Sequence, residues 1–202
     1  MTERSVNRKM SPRTKHQIEQ IRQESRRKIL DAAFLLFGEN GYHHTTMAQI
    51  ARKAAVSKGL TYNYFDGKED LVKAVVVDAF EKLDEHVTPS NLEQSPGEML
   101  EEITRDSIRT GFEDATYWRL TFSLVLQPDV TGIILPILHE KQAEYLEILG
   151  SLFGAVGVAD PKLHAQLFIA HLDGISLHHL VGLSALDRAK VTEAIIKMYI
   201  PK

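Results

Sequence analysis

The chain has 202 residues, of which 44% are hydrophobic and 25% charged, enough apolar material for a packed core and too much for a disordered chain. It contains no cysteine, which excludes disulfides and thiolate metal sites, and no apolar run approaches the ~18 residues of a membrane span. The net charge of −3 hides an asymmetry: residues 1–70 hold 13 Lys and Arg against 8 Asp and Glu, so the remainder carries the acidic excess. A polar, charged amino terminus without an apolar core is not a signal peptide, and the composition predicts a cytoplasmic protein with no membrane partner.

Residues 1–25 read as a basic extension. Arg4, Arg8, Lys9, Arg13, Lys15, Arg22, Arg26, Arg27 and Lys28 precede the apolar part of the first helix, and an arm of this kind can follow phosphates or enter a minor groove. The alternative is a solvated, partly helical tail. Leu30, Ala33, Phe34 and Phe37 then give an apolar stripe, and Gly38-Glu39-Asn40-Gly41 supplies residues that tolerate a left-handed stop.

Met47, Ile50, Ala51 and Ala54 recur at i, i+3, i+4 and i+7, while Thr46 with Gln49 makes a capping box, so a short helix is predicted over 47–54. Ala55-Val56-Ser57 is a small-residue turn, and Ser57 caps a further helix over about 58–64. Another begins at Lys68. Two short helices around a tight turn are the layout of a helix-turn-helix DNA reader. The stretch resembles the DNA-binding signature of the TetR family of bacterial transcriptional regulators, at Thr45-Thr46, Ile50-Ala51, Ala54 through Gly59, Tyr62, Tyr64-Phe65 and Lys68 through Leu71. The preceding helix, Arg26 through Phe37 and then Asn40-Gly41-Tyr42, also fits. Two departures are Thr61, where the family has Leu or Ile, and an acidic Asp66 near the expected phosphates. The match to the motif puts Lys58, Leu60 and Asn63 at base edges and Tyr62, Tyr64 and Lys68 on phosphates, with Gly59 in the first turn and the helix starts at Thr45, Thr46 and Lys68 presenting backbone N–H groups.

Further helices are predicted from Lys68 to about His86, Pro96 to Glu113, Tyr117 to Leu126, Pro128 to about Phe153 with an interruption at Pro136, Pro161 to Val181, and Asp187 to Tyr199. No strand-like alternation survives, so the fold class is all-α: an amino-terminal three-helix helix-turn-helix domain over 26–71, joined by a connecting helix to a larger ligand-binding and dimerisation domain over 72–202. The segment 161–181 carries two apolar faces, one with Leu167, Ala170, Gly174, Leu177 and Val181, the other with Phe168, Leu172 and Ile175. With Val191, Ala194, Ile195 and Met198 of the last helix, the first face reads as a two-fold four-helix dimer interface, as the resemblance also implies; both faces could instead be intrachain core.

His164, His171 and His178 lie seven apart, a rise of ~10 Å per step, which defeats a shared zinc. His139-Glu140 lacks the second histidine of a metalloprotease helix, Ser176 lacks the glycine of a nucleophile elbow, and no glycine-rich phosphate loop occurs. The residues require no cofactor, no metal and no catalytic role. Trp118, Phe122, His139, Tyr145, Phe168 and His171 are candidates to line a cavity for a small apolar or amphipathic effector, a reading the resemblance supports. The resulting expectation is a homodimer on double-stranded DNA, repressing from a palindromic operator and released by a ligand. A DNA-binding regulator or architectural protein without an inducer, and a helical enzyme or interaction module containing the motif, are the alternatives.

Overall fold

A computed structural model describes residues 14–87, 93–183 and 185–201, and its regular structure among these residues is entirely helical. The helices are α1 (Lys15–Asn40), α2 (Met47–Lys53), α3 (Lys58–Tyr62), α4 (Lys68–Val87), α5 (Pro96–Glu113), α6 (Ala115–Val125), α7 (Pro128–Ala155), α8 (Pro161–Leu180) and α9 (Arg188–Tyr199).

Helix starts are set by local chemistry. Thr14 opens α1 by a capping box with Gln17, well ahead of Arg26, so much of the basic extension is the first turns of α1. Residues 1–13, with Arg4, Arg8, Lys9 and Arg13, lie outside the described residues. Gly41 ends α1 at φ +82°, its N–H returning to the Phe37 carbonyl at 3.1 Å, a backbone geometry that favours glycine. The predicted capping box of α2 is present, Thr46 Oγ1 accepting from the Gln49 N–H while Gln49 Oε1 accepts from the Thr46 N–H at 2.7 Å. α3 is shorter than its pattern suggests, ending at Tyr62.

Pro136 does not interrupt α7. Its missing N–H frees the Gly132 carbonyl, but Gly132 and Pro136 are both exposed, so that carbonyl faces water rather than an apolar wall. α6 and α7 meet at 101° across Leu126-Gln127. No single helix among the described residues is long and apolar enough to cross a membrane.

Two hydrophobic cores result. The first gathers Ile29, Leu30, Ala33 and Phe37 of α1, Met47 and Ile50 of α2, and Leu71, Val72 and Val75 of α4, and it continues into Leu124, Val130 and Ile134 of α6 and α7. The second gathers Leu100 and Ile103 of α5, Leu149 and Phe153 of α7, Ala165 and Phe168 of α8, and Ile195, Ile196 and Tyr199 of α9. Each fully buried Leu, Ile or Phe contributes about 1.5–3 kcal/mol. Because the first core spans the junction, the helix-turn-helix unit is fused to α6 and α7 rather than tethered to them.

Candidate DNA interface and effector cavity

α3 is held against α2 by the turn at Ala54–Ser57 and by its own buried face. Thr61, the departure from the family pattern, is fully buried and donates its hydroxyl to the Lys58 carbonyl at 2.7 Å, so the polar atom is satisfied where an aliphatic side chain is usual. The opposite face presents Lys58, Gly59, Tyr62 and Asn63 to solvent, with Leu60 half-buried beside them. Tyr62 is 47% exposed and its ring centre lies 6.0 Å from Lys58 Nζ, which puts a phenol and an ammonium side by side. A Cβ added at Gly59 would meet nothing, leaving room for another molecule's backbone to approach. Asp66, the other departure, is exposed, and its N–H donates to Asp70.

Three expected DNA contacts are placed differently. Thr45 is buried, its hydroxyl donating to the carbonyls of Leu36 and Gly41 and its N–H to Tyr42, so nothing remains for a phosphate and its role is to close the α1–α2 loop. Lys68 is half-buried; its ammonium donates to the Tyr42 carbonyl at 2.8 Å and sits 4.3 Å from the Tyr42 ring centre, and desolvation pushes its pKa down. Tyr64 is half-buried, packed on the first core and next to Phe65. Thr46 remains exposed at the start of α2. Within the basic stretch, Arg27 is bound to Asp31 and Asp78, joining α1 to α4, whereas Lys15, Arg22, Arg26 and Lys28 remain exposed.

Between α4, α5, α6, α7 and α8 lies a cavity of about 490 Å³. Trp118 and Phe122 of α6, His139 and Tyr145 of α7 and Phe168 of α8 line it. His171 does not. It points to the other flank of α8, where its Nδ1 bonds the Tyr199 hydroxyl, while His164 Nε2 bonds the Tyr199 carbonyl at 2.9 Å; these histidines tie α9 to α8. The lining also holds polar groups that the sequence reading does not place at a cavity, Ser107, Thr121, Gln142, Asp173 and Ser176. Tyr145 donates its hydroxyl to Asp84 at 2.6 Å, linking the α7 wall to α4, and burial is the main cause that pushes its phenol up.

The cavity and the helix-turn-helix share one joint. Gln127, in the sharp turn after α6, accepts from the Tyr42 N–H at 2.7 Å and donates to the Phe37 carbonyl at 3.2 Å and to the Ser123 carbonyl at 2.9 Å. Ser123 donates to the Gly38 carbonyl at 2.9 Å, and Gly38 lies so close to Leu120 that an added Cβ would stand 2.6 Å from the leucine's Cδ2. Gln127 sits before a proline with nothing in its sequence context to mark it.

On the outer side of α8, Leu163, Leu167, Leu177 and Val181 are exposed at 49%, 51%, 41% and 57%, and Met198 of α9 at 61%, an apolar surface too large for scattered chance. Ala170 is exposed and Gly174 half-buried with open space where a Cβ would go. The second α8 stripe, Phe168, Leu172 and Ile175, is intrachain core. Ile195, expected on the outer face, is 5% exposed inside the second core, because that side of α9 faces α5; Val191 is half-buried beside it.

Residues 29–75 match the family model described as bacterial regulatory proteins, tetR family, and residues 98–201 match that of the tetracyclin repressor-like carboxyl-terminal domain. The chain belongs to the TetR family. It is therefore a DNA-binding transcriptional regulator of that family, with the family's amino-terminal unit over residues 29–75 and a family-type carboxyl-terminal domain behind it. The regulator BetI of Brucella anthropi is 27% identical over 183 residues, covering 87% of this chain and 91% of BetI. HbdR of an Aromatoleum species is 52% identical over 50 residues, a quarter of this chain and 22% of HbdR. Among solved structures, NalD of Pseudomonas aeruginosa, a secondary repressor of a multidrug efflux pump, superposes with a TM-score of 0.70 at 20% identity over 88% of this chain and 96% of NalD. That likeness concerns the fold.

Proposed function

We propose that this TetR-family regulator is a homodimeric cytoplasmic repressor that reads a palindromic operator and is released from it by a small amphipathic molecule. The observation that carries the reading is that one helix, α6, walls the cavity with Trp118, Thr121 and Phe122 and ends in the turn whose Gln127 bonds the Phe37 carbonyl in the last turn of α1 and the Tyr42 N–H at the start of the loop to α2. A ligand that moves α6 moves the loop that positions α2 and α3. Tyr145 and Asp84 give a second route, from the cavity wall to α4, whose start is tied to Tyr42 through Lys68. An effector acts only if it binds the arrangement unsuited to DNA more tightly than the DNA-bound one. A coupling of ~1–3 kcal/mol would loosen the operator 5- to 150-fold.

The reader is assigned to Lys58, Leu60 and Asn63 at base edges, with Gly59 leaving room for close approach in the first turn and Tyr62 and Thr46 on phosphates, within an amino-terminal unit that extends back through α1. The dimer is assigned to the outer face of α8 and α9, with Ala170, Gly174, Leu177, Val181 and Met198 at its centre and Val191 at its edge. A two-fold pair of readers calls for a palindrome.

Selection of bound sequences from random duplexes should return such a palindrome. On it, Tyr62→Ala should weaken binding about equally across sequences with little change in salt dependence, whereas Lys58→Ala should cost ~1–3 kcal/mol and relax the preference at the base pair it contacts. If both variants fold and bind as wild type does, α3 is not the reader. Gly174→Leu meets open space within one subunit, so it should leave the monomer folded and abolish the dimer in sedimentation; a dimer that persists would place Gly174 elsewhere.

A further inference from the structure

The cavity's lining includes one carboxylate, Asp173, and no Lys or Arg. By helix geometry Asp173 stands on α8 between the wall residues Ile169 and Ser176 and the outward stripe of Ala170 and Leu177, which places it at the cavity rim. It is reached by solvent there, yet it is ringed by protein, and burial pushes its carboxyl above the ordinary carboxylate range. Among the described residues no hydrogen bond or ion pair engages it. A solvent-reached carboxylate at the rim, engaged by no described protein group, is free to pair with a charge carried in on a ligand. Around it the chamber offers aromatic rings, Trp118, Phe122 and Tyr145, whose faces attract cations, and no fixed positive group that could hold an anion.

We propose that the effector is an amphipathic cation, an amine or quaternary ammonium on an apolar body, whose positive head pairs with Asp173 while its body fills the aromatic chamber. This assignment rests on the reading that the cavity is the effector site. A chamber of about 490 Å³ suits a drug-sized molecule. A fatty acid of the same length would place its carboxylate against Asp173 with no cation to offset the repulsion. The carboxylate therefore discriminates by repelling anions as well as by attracting cations.

Three probes of one chain length separate the possibilities: decyltrimethylammonium, decanol and decanoate, each titrated into the full-length protein with Trp118, the single tryptophan, as reporter and calorimetry as a check. The ammonium should bind at least ~10-fold more tightly than the alcohol, and decanoate most weakly. Asp173→Asn should remove the preference for the cation, leave decanol unchanged and not lower the melting temperature, while Asp173→Glu restores part of the preference. If decanol or decanoate binds as tightly as the ammonium, or Asp173→Asn leaves the cation's affinity intact, the charge assignment fails and the effector cavity stands. If none of the three gives a saturable response, both fall. Should the cation bind through Asp173 and leave operator affinity unchanged, the binding site stands and ligand release fails.

Discussion

In the amino-terminal reader, the group that fixes each helix start lies three residues from the group it binds: Thr14 with Gln17, Thr46 with Gln49, Ser57 with the Leu60 N–H at 3.1 Å. In the carboxyl-terminal domain, the cavity walls come from helices as far apart in sequence as Phe80 and Ser176, and what holds them is the packing of Phe153 and Phe168 on Leu100 and Ile103. The carboxyl-terminal domain starts its helices with caps of the same kind, Ser95 with Glu98 and Asp160 with the Leu163 N–H, so the two regions differ in what their long-range packing leaves: a buried core among α1, α2 and α4 in the first, and a chamber of about 490 Å³ beside the core in the second.

The difference predicts unequal costs of substitution. Phe153 is fully buried at the centre of the second core, with ring contacts to Phe168 at 5.5 Å and His164 at 4.6 Å. Phe153→Ala should lose ~3–5 kcal/mol in urea unfolding. A loss under ~1 kcal/mol would mean that the carboxyl-terminal domain is not held by this core, and the contrast between the two regions would dissolve.

At the joint between the regions, Gln127→Ala removes one acceptor and one donor that span the turn after α6 and the end of α1. It should cost ~1–2 kcal/mol of stability and, more tellingly, shrink effector-driven release while effector binding itself persists. Parallel titrations of Trp118 fluorescence and operator anisotropy read the two separately. Normal release in the variant would route the coupling through Tyr145 and Asp84 instead.

The same contrast governs what the sequence reveals. Helix starts and the exposed face of α3 are visible in it because caps and apolar spacing are local. The inward turn of Thr45 is not, since its partners are carbonyls of Leu36 and Gly41 that only the folded loop brings near. His171 looks like a cavity residue until α9 docks and supplies Tyr199. Ile195 looks outward until the side of α9 that faces α5 is known. Gln127 acquires its role from a 101° bend, and Asp173, which reads as an ordinary surface charge, from the chamber beside it. Each of these depends on which helix packs on which face, and helical spacing alone is silent on that.

Within the reader, single caps should matter less than core residues. Ser57→Ala removes the side-chain acceptor at the start of α3 and should cost about 1 kcal/mol, with faster amide exchange confined to α3. Exchange that rises equally in α5 and α8 would show that the reader and the cavity open together, against the division drawn above.

The smallest effect is expected where the reader's local chemistry is imperfect. α2 ends with the Val56 N–H returning to the Ala51 carbonyl at 3.0 Å and the Ala55 N–H to Arg52 at 3.2 Å, the paired bonds of a Schellman stop. That stop places Ala55 at φ +55°, the one non-glycine residue with positive φ among those described. Its Cβ in the left-handed region costs about 1–2 kcal/mol, while glycine's greater freedom in the unfolded chain costs about 0.5–1 kcal/mol. Ala55 is exposed, so its methyl packs on nothing that the substitution would lose. Ala55→Gly should therefore stabilise the protein by about 0.5–1 kcal/mol, visible as a small rise in melting temperature with operator specificity unchanged. A fall in stability would show that alanine's restriction of the unfolded chain outweighs the strain of the turn, and that this turn, unlike the caps around it, is held by the packing of its neighbour Val56 against the first core.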